Sequence, residues 1–356
     1  MALRILTGLL LLGFMLCPQA DVTFSGFASV GAGKVISKKD DVFLSDYATV
    51  AQYDNDVSFS PDTTYGLQAM GRIDDKLSIA SQIVGRGADE MNAGVEWAYI
   101  TYELSPSLSM QVGRKRLPLY FYSDFYDVGY SYYWIRPPAD NYTWQIFNYN
   151  GASLAYKTRM GDWGIKGDVY GGREDSPNNK LLSEFFFGET TNETWKNMLG
   201  AVLTVSGEML EVRLNYLQGL NDRDFPDAGS TSTPFENYRF HNYGMSVNLD
   251  TGSLIVLTEY NMRRRHLDPA ITTWLASVGY RMGELTPHVT YSKFSQEKLA
   301  GAETENHNTT IVGVRYDFHP SAAAKLQWDK VQDEGGPGWG VAGDSETISA
   351  AIDMIF

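Results

Sequence analysis

The chain has 356 residues and a formal net charge of −14, with 29 basic and 43 acidic side chains. This acidic balance argues against a nucleic acid as partner, because phosphate backbones are bound by clusters of Lys and Arg. The chain contains 22 Tyr, 17 Phe, 8 Trp and 34 Gly but one Cys, and strong helical periodicity is absent. Such a composition indicates a β-protein with many turns.

Residues 1–20 have the layout of a secretory signal peptide. An apolar core from Ile5 to Leu16 follows a basic start and precedes small or polar residues. This core is too short to span a bilayer as a helix. We expect cleavage after Ala20. The alternative is a lipoprotein that is lipidated at Cys17. If Cys17 is removed with the signal peptide, the exported chain has no cysteine and therefore no disulfide bond.

Segments with an apolar residue at every second position recur along residues 21–356. This alternation places apolar and polar side chains on opposite faces of a strand. The predicted strands are 22–33, 63–74, 77–86, 94–104, 108–116, 150–160, 163–172, 197–206, 209–219, 240–250, 253–263, 272–281, 285–295, 308–318, 322–330 and 346–356. Short turns and long polar connections alternate between these sixteen strands. This pattern predicts an all-β, 16-stranded antiparallel transmembrane β-barrel.

Aromatic residues lie toward the ends of the apolar faces. In strand 209–219, Leu214 and Tyr216 face one way while Arg213 faces the other. A soluble β-sandwich alternates as well, but rings at strand ends are typical of the girdles at membrane interfaces. In strand 94–104 both faces are apolar, so its orientation stays open. The predicted lipid-interface aromatics are Tyr216, Tyr260, Tyr280, Tyr316, Trp328 and Phe356.

Three short motifs carry a resemblance to a known family. They are VTFSGFA at 22–28 in the first strand, Gly113-Arg114 at the end of the fifth, and the alternating last strand that ends on Phe356. With these motifs in this order, the chain resembles a general, 16-stranded Gram-negative porin over its mature length. The resemblance implies an outer-membrane channel for passive diffusion of small hydrophilic solutes and ions, without cofactor or catalytic residues. It also implies a homotrimer surrounded by outer-membrane lipid and lipopolysaccharide.

The third long connection, residues 117–149, is dense in Tyr, Phe and Trp. A loop surrounded by water does not need so many rings, so we expect it to pack against another surface. In the porin family, the third external loop folds into the barrel and narrows the pore, which makes Asp124, Asp127 and Asp140 candidates for an acidic lining of the constriction. The rings could instead form a packing core, a subunit contact or a track for sugars, and the sequence does not separate these alternatives.

The polar faces of the strands predict which charged side chains line the lumen. The predicted basic wall residues are Arg72, Arg86, Lys157, Arg159, Lys166, Arg213, Arg263, Arg281, Arg315 and Lys325, and the acidic ones are Asp168, Glu211, Glu259, Asp317, Asp329 and Asp353. Ten basic against six acidic residues predict a net basic wall. Charges of opposite sign across a narrow pore would create a transverse field. The alternative for each single residue is a solvated charge without a role in selectivity.

Arg114 and Arg116 lie at the base of the third loop, where porins carry a constriction arginine. Strict alternation turns Arg114 outward, so a constriction role requires a bulge or the end of the strand at this point.

Two other functions remain as alternatives. A substrate-specific channel for anions or sugars would have the same architecture, and the basic wall favours anions. An outer-membrane barrel enzyme is less favoured, because the sequence contains no G-x-S-x-G motif and no His near a Ser with an obvious third partner. The five histidines are scattered, which argues against a metal site. Arg264 and its basic neighbours could contact lipopolysaccharide phosphates or be merely solvated.

Overall fold

The computed structural model describes residues 21–39, 41–227, 229–230, 232–266, 268–298, 304–335 and 343–356. The predicted signal peptide therefore lies outside the described residues. Sixteen antiparallel strands of the described part form one closed barrel, which confirms the predicted fold class and strand number. In this part of the chain, no helix is long and apolar enough to cross a membrane.

The strands follow the chain in order around the barrel. They are β1 (Asp21–Val35), β2 (Phe43–Asp46), β3 (Ala51–Tyr53), β4 (Thr64–Arg72), β5 (Leu77–Arg86), β6 (Ala93–Ser105), β7 (Leu108–Arg116), β8 (Asn148–Met160), β9 (Trp163–Ser176), β10 (Asn192–Ser206), β11 (Leu210–Asp224), β12 (Phe235–Asp250), β13 (Leu254–Arg265), β14 (Ile271–Tyr280), β15 (Leu285–Gln296), β16 (Asn306–His319), β17 (Ala322–Asp333) and β18 (Ser345–Ile355). Strands β2 and β3 form a separate hairpin in the first long loop. Three 3-10 turns (Gly87–Asp89, Ser123–Phe125 and Gly129–Ser131) and a π-helix (Leu181–Phe187) lie in other long loops.

The barrel closes where β18 pairs with β1. Ser29 lies opposite Asp353 in this pairing. The N–H of Gly26 donates to the carbonyl of Phe356 at 2.7 Å, and the N–H of Phe356 donates back at 3.0 Å. Every barrel strand is thus paired on both sides, so the sheet exposes no edge, as a membrane interior without water requires.

The apolar faces of the strands point out of the barrel. Tyr260, Tyr280, Tyr316 and Phe356 are exposed, and Tyr216 and Trp328 are partly exposed. All six belong to the outward set of their strands, as the alternation predicts. Their contact with the lipid interface stays a prediction.

A bulge resolves the ambiguous strand 94–104. The pairing of β5 with β6 shifts its register between Gln82 and Ile83, opposite Trp97 and Val95. Val95 and Ile100 are both 48% exposed on the outside, while Glu96 is buried. Both faces look apolar in the sequence because the bulge changes which residues point outward.

Strands β10, β11 and β12 extend five residues further at their long-loop ends than the alternation predicts. Lys196 pairs with Asp222 and Arg223 with Glu193 in these extensions. Polar residues occur on both faces there because these ends do not need an outer apolar face. The hydrogen-bonded ladder therefore continues beyond the hydrophobic pattern that revealed it.

Candidate functional site: the third loop inside the barrel

The loop between β7 and β8, residues 117–147, lies against the inner wall of the barrel. The Tyr133 hydroxyl donates to Ser277 on β14 at 2.7 Å, and Trp134 Nε1 donates to Thr290 on β15 at 2.8 Å. Both wall residues belong to the inward set of their strands. The aromatic residues of the loop are thus packed inside the barrel and not in bulk solvent.

Apolar side chains on the inner wall receive this loop. Trp134 and Tyr142 of the loop belong to one buried cluster with wall residues. The wall members include Val202, Leu217, Leu257, Leu275 and Ile311. Fully burying a side chain of this kind contributes about 1.5–3 kcal/mol, so the cluster is a substantial part of the attachment. The alternation predicts a polar face here and does not identify these residues, although their apolar character at polar-face positions is visible in the sequence.

Arg136 joins the loop to both sides of the barrel seam. Its guanidinium pairs with Asp62 in the first loop and with Asp329 on β17 at 2.9 Å. The same group lies 4.8 Å from the ring centroid of Phe43. The residue is 8% exposed, so these are buried interactions. Arg136 is not among the predicted site residues; its position at the end of an aromatic run is the only signal for it in the sequence.

Two predicted wall residues bind loop carbonyls. Lys325 Nζ donates to the carbonyl of Gly129 at 2.6 Å and to that of Trp134 at 2.5 Å, and it pairs with Asp353 at 2.7 Å. Arg315 donates to the carbonyl of Tyr130 at 2.6 Å. The two cations bind the second 3-10 turn of the loop, Gly129–Ser131. Lys325 is almost fully buried.

Four charged side chains form a buried group at the start of the loop. Arg86 pairs with Glu96 and with Asp127, each at 2.7 Å. Arg116 pairs with the same two carboxylates, at 3.1 Å with Glu96. Asp127 is therefore neutralised by two arginines and does not present a free charge to the lumen.

Arg213 and Glu259 also bind the loop. Arg213 donates to the carbonyl of Pro118 at 2.8 Å. Glu259 accepts from the Phe121 N–H at 2.8 Å and from the Tyr142 hydroxyl at 2.7 Å. Both wall residues lie inward, as predicted, and both position the loop.

Arg114 has different partners from those that the resemblance suggests. It pairs with Glu174 at 2.8 Å and donates to the carbonyl of Val95 at 3.1 Å. None of its partners among the described residues is in the third loop. The neighbouring Gly113 has φ +141°, and a Cβ there would lie 2.3 Å from the Ala98 carbonyl oxygen, so the backbone distortion depends on glycine. A constriction role for Arg114 stays a prediction.

Four other predicted pore residues lie near the short-turn end of the barrel. They are Arg72, Lys157, Arg159 and Arg281. Arg281 pairs with Asp250 at 2.6 Å, and Arg72 makes an exposed contact with Asp75 at 3.5 Å. Lys157 and Arg159 are exposed on β8. Within the described residues, the hydrogen bonds and ion pairs of these four do not reach the third loop.

The hairpin of the first loop covers the third loop from the long-loop side. The Tyr126 hydroxyl donates to Asp46 at 2.8 Å. Burial raises the pKa of Tyr126 well above its ordinary value, and the negative charge of Asp46 adds to this effect. Burial also raises the pKa of Asp46. The tyrosine therefore stays neutral and can donate to the carboxyl group across the physiological pH range.

Within the part of the chain that the structure describes, the inner wall of β8 and β9 has apolar but no polar attachment to the loop: Tyr149 and Tyr170 belong to the same buried cluster as the loop rings. No hydrogen bond or ion pair among the described residues joins the loop to β8 or β9. Lys157 and Lys166 are exposed and Asp168 is half-buried. On the loop, Asp124 is exposed as well, and it lies near enough to Lys115 to interact with it electrostatically. Lys115 Nζ donates to Ser153 at 2.6 Å.

A family model described as Gram-negative porin matches residues 15–336 of this sequence. The chain belongs to the Gram-negative porin family. It is thus an outer-membrane porin, and its barrel forms a channel. No curated protein matches the sequence significantly.

Solved porin structures show the same fold. The outer membrane channel DcaP of Acinetobacter baumannii has a TM-score of 0.63 at 10% identity, over 95% of this chain and 97% of that one. The anion-selective porin from Comamonas acidovorans has a TM-score of 0.58 at 13% identity, over 95% and 100%. The trimer form of in-vitro folded OmpT of Vibrio cholerae has a TM-score of 0.59 at 12% identity, over 95% and 99%. At these identities the likeness establishes the fold alone.

Replacing Arg136 tests the attachment of the third loop. Arg136→Gln leaves Asp62 and Asp329 buried without their shared cation, and breaking a buried pair in this way costs about 3–5 kcal/mol. We expect a loss of roughly that size in the free energy of unfolding, measured by urea titration of the porin in lipid vesicles. Arg173→Gln is the matched control, because Arg173 pairs with Asp175 on the surface and such pairs contribute at most about 1 kcal/mol. If both variants lowered the free energy of unfolding by the same amount, Arg136 would not be a main attachment of the third loop.

Proposed function

We propose that this porin passes small hydrophilic solutes and ions by passive diffusion along an off-centre route. The route runs between the third loop, residues 117–147, and the inner wall of β7, β8 and β9. One observation carries the proposal. The loop has hydrogen bonds or ion pairs to the wall from β11 through β18 and, through Asp127, to Arg86 on β5 and Arg116 on β7, but it makes no such bond to β8 or β9 within the described residues. The family match favours a channel over a barrel enzyme.

Lysines dominate the charge along this route. The cations on this wall are Lys115, Lys157, Arg159 and Lys166, and the acids near them are Asp124 on the loop and Asp168 on β9. Lys166 pairs with Asp168 at 3.2 Å and stays exposed to water. Four cations against two anions give a positive path. A positive path raises the local concentration of anions, so we propose a mild preference for anions. A porin of similar fold, from Comamonas acidovorans, is described as anion-selective.

In this proposal, most arginines predicted for the constriction attach the third loop and do not select ions. Arg86 and Arg116 are each paired with two carboxylates, and Arg315 pairs with Asp317 at 2.7 Å. A charge that a close partner compensates has little field left for a passing ion. We therefore assign the selectivity to the exposed lysines and the attachment of the loop to the arginines.

We further propose a homotrimer that carries lipopolysaccharide on its outer rim. A trimer form is known for the similar OmpT of Vibrio cholerae. Arg239, His241 and Arg264 lie at the long-loop end of β12 and β13, and His241 is directly opposite Arg264. All three belong to the outward set of their strands, where lipid phosphates would meet them.

Native mass spectrometry of porin extracted gently from outer membranes tests both the proposed trimer and the proposed lipopolysaccharide binding. We expect a mass of three chains with lipopolysaccharide bound, and less bound lipid in the double variant Arg239→Gln with Arg264→Gln. A monomer as the main species would refute the trimer. Unchanged lipid binding in the variant would refute the basic cluster as its site.

Reversing the charge at two lysine positions tests the proposed solute route. In Lys157→Glu with Lys166→Glu, the path becomes negative, so we expect the reversal potential in a salt gradient to shift toward cation selectivity. The measurement is made on single channels in planar bilayers. Lys330→Glu is the control, because Lys330 belongs to the outward set and pairs with Glu346. If the double variant kept the wild-type reversal potential, the solute route would lie elsewhere.

A further inference from the structure

A cavity of about 280 Å³ lies at the external mouth of the barrel. The π-helix Leu181–Phe187 borders it with Leu182 and Phe187, and β10 and β12 contribute Trp195 and Phe240. Gln145 of the third loop also lines it. Its volume is close to the lower end of the range for pockets that bind small organic molecules.

The walls of this cavity are aromatic and rigidly packed. The rings of Trp195 and Phe240 meet edge to face with centroids 4.7 Å apart, and Trp144 of the third loop lies 5.3 Å from Trp195. Trp195 and Phe240 are at most 1% exposed. These two rings therefore form the closed back wall of the cavity. Phe187, which also lines it, is 36% exposed, and an accessible ring of this kind suits another flat ring.

Two of the three arginines at the cavity are already neutralised. Arg223 donates to Glu193 through two nitrogens, at 3.1 and 2.6 Å. Arg265 pairs with Asp268 and donates to Asn221 at 3.0 Å. These groups contribute shape and polarity but little free charge.

The acidic group on the opposite side of the cavity is occupied as well. Glu305 accepts from the Tyr47 hydroxyl at 2.6 Å and lies 3.3 Å from His307 Nε2. His307 also bonds to Asp140 at 2.5 Å. The negative charge of Glu305 is thus turned toward this buried network.

Arg263 differs from its neighbours. Its guanidinium donates to the Gln145 side-chain oxygen at 2.9 Å and lies 5.0 Å from the ring centroid of Trp144. Among the described residues it has no carboxylate partner. A guanidinium held by one neutral acceptor and one ring keeps donors and charge for a carboxylate, which it can bind through two parallel hydrogen bonds.

We infer that this cavity is a binding site for a small aromatic monocarboxylate, with Arg263 on the carboxylate and the exposed ring of Phe187 against its flat body. The apolar part of the cavity excludes inorganic anions as good ligands, and the unpaired cation excludes neutral rings. Equilibrium binding at this site does not depend on the solute route proposed above. A failure of binding and a failure of conduction are therefore distinguishable.

Titration of 4-fluorobenzoate into the detergent-solubilised porin, followed by fluorine NMR, tests the inference. We expect saturable binding by the wild-type protein and none by 4-fluorobenzylamine, which has the same ring and the opposite charge. In Arg263→Gln the affinity should fall at least about tenfold, equivalent to about 1.4 kcal/mol. Arg173→Gln is the control and should leave the affinity unchanged, because Arg173 pairs with Asp175 on the surface and does not line this cavity.

Circular dichroism and gel mobility establish that each variant is a folded barrel. Should Arg263→Gln fail to fold, Arg263→Lys keeps the charge but not the planar fork, and it should weaken binding severalfold. Wild-type affinity in the folded Arg263 variants would overturn the inference. So would equal binding of the amine, or the absence of saturable binding by the wild-type porin up to about 20 mM.

Discussion

Arg136 is the contact on which the interior of this porin depends. Its guanidinium lies between Asp62 of the first loop and Asp329 of the wall and packs on the ring of Phe43. A buried cation shared by two carboxylates is stable only while all three groups are present. The first loop, the third loop and the strands next to the seam are therefore fixed relative to one another. Lys325 extends the same attachment by holding the carbonyls of Gly129 and Trp134.

In the proposed route, attachment of the loop to one side of the barrel leaves the other side for solutes. The wall from β11 to β18 is used for attachment, with apolar contacts such as Leu257 and polar ones such as Glu259. The proposed route follows the wall of β8 and β9, where Lys157 and Lys166 are exposed to water. The charged residues that attach the loop are thus mostly buried, whereas those on the proposed route are exposed.

Much of the fold followed from the sequence, because an outer apolar face must recur at every second residue in each strand. The same rule placed Arg213, Glu259 and Lys325 on the inner face. It did not reveal what they bind, since their partners are loop carbonyls and amides far away in the chain. Arg136 lies outside any periodic segment, so alternation gave no information about it. Leu217 and Leu257 were visible as exceptions to the polar face, but only the packed loop explains them.

In the proposed arrangement, the third loop covers the wall at β14 and leaves the short-turn half of β8 accessible. The reaction rates of single cysteines with a charged, membrane-impermeant thiol reagent test this arrangement most directly. Ala155→Cys on β8 and Ser277→Cys on β14 are both small, inward substitutions, and Ser277 is 1% exposed beneath Tyr133. The account predicts fast labelling at position 155 and labelling at least about tenfold slower at position 277, because only an accessible thiolate reacts. Equal rates, or faster labelling at position 277, would contradict it.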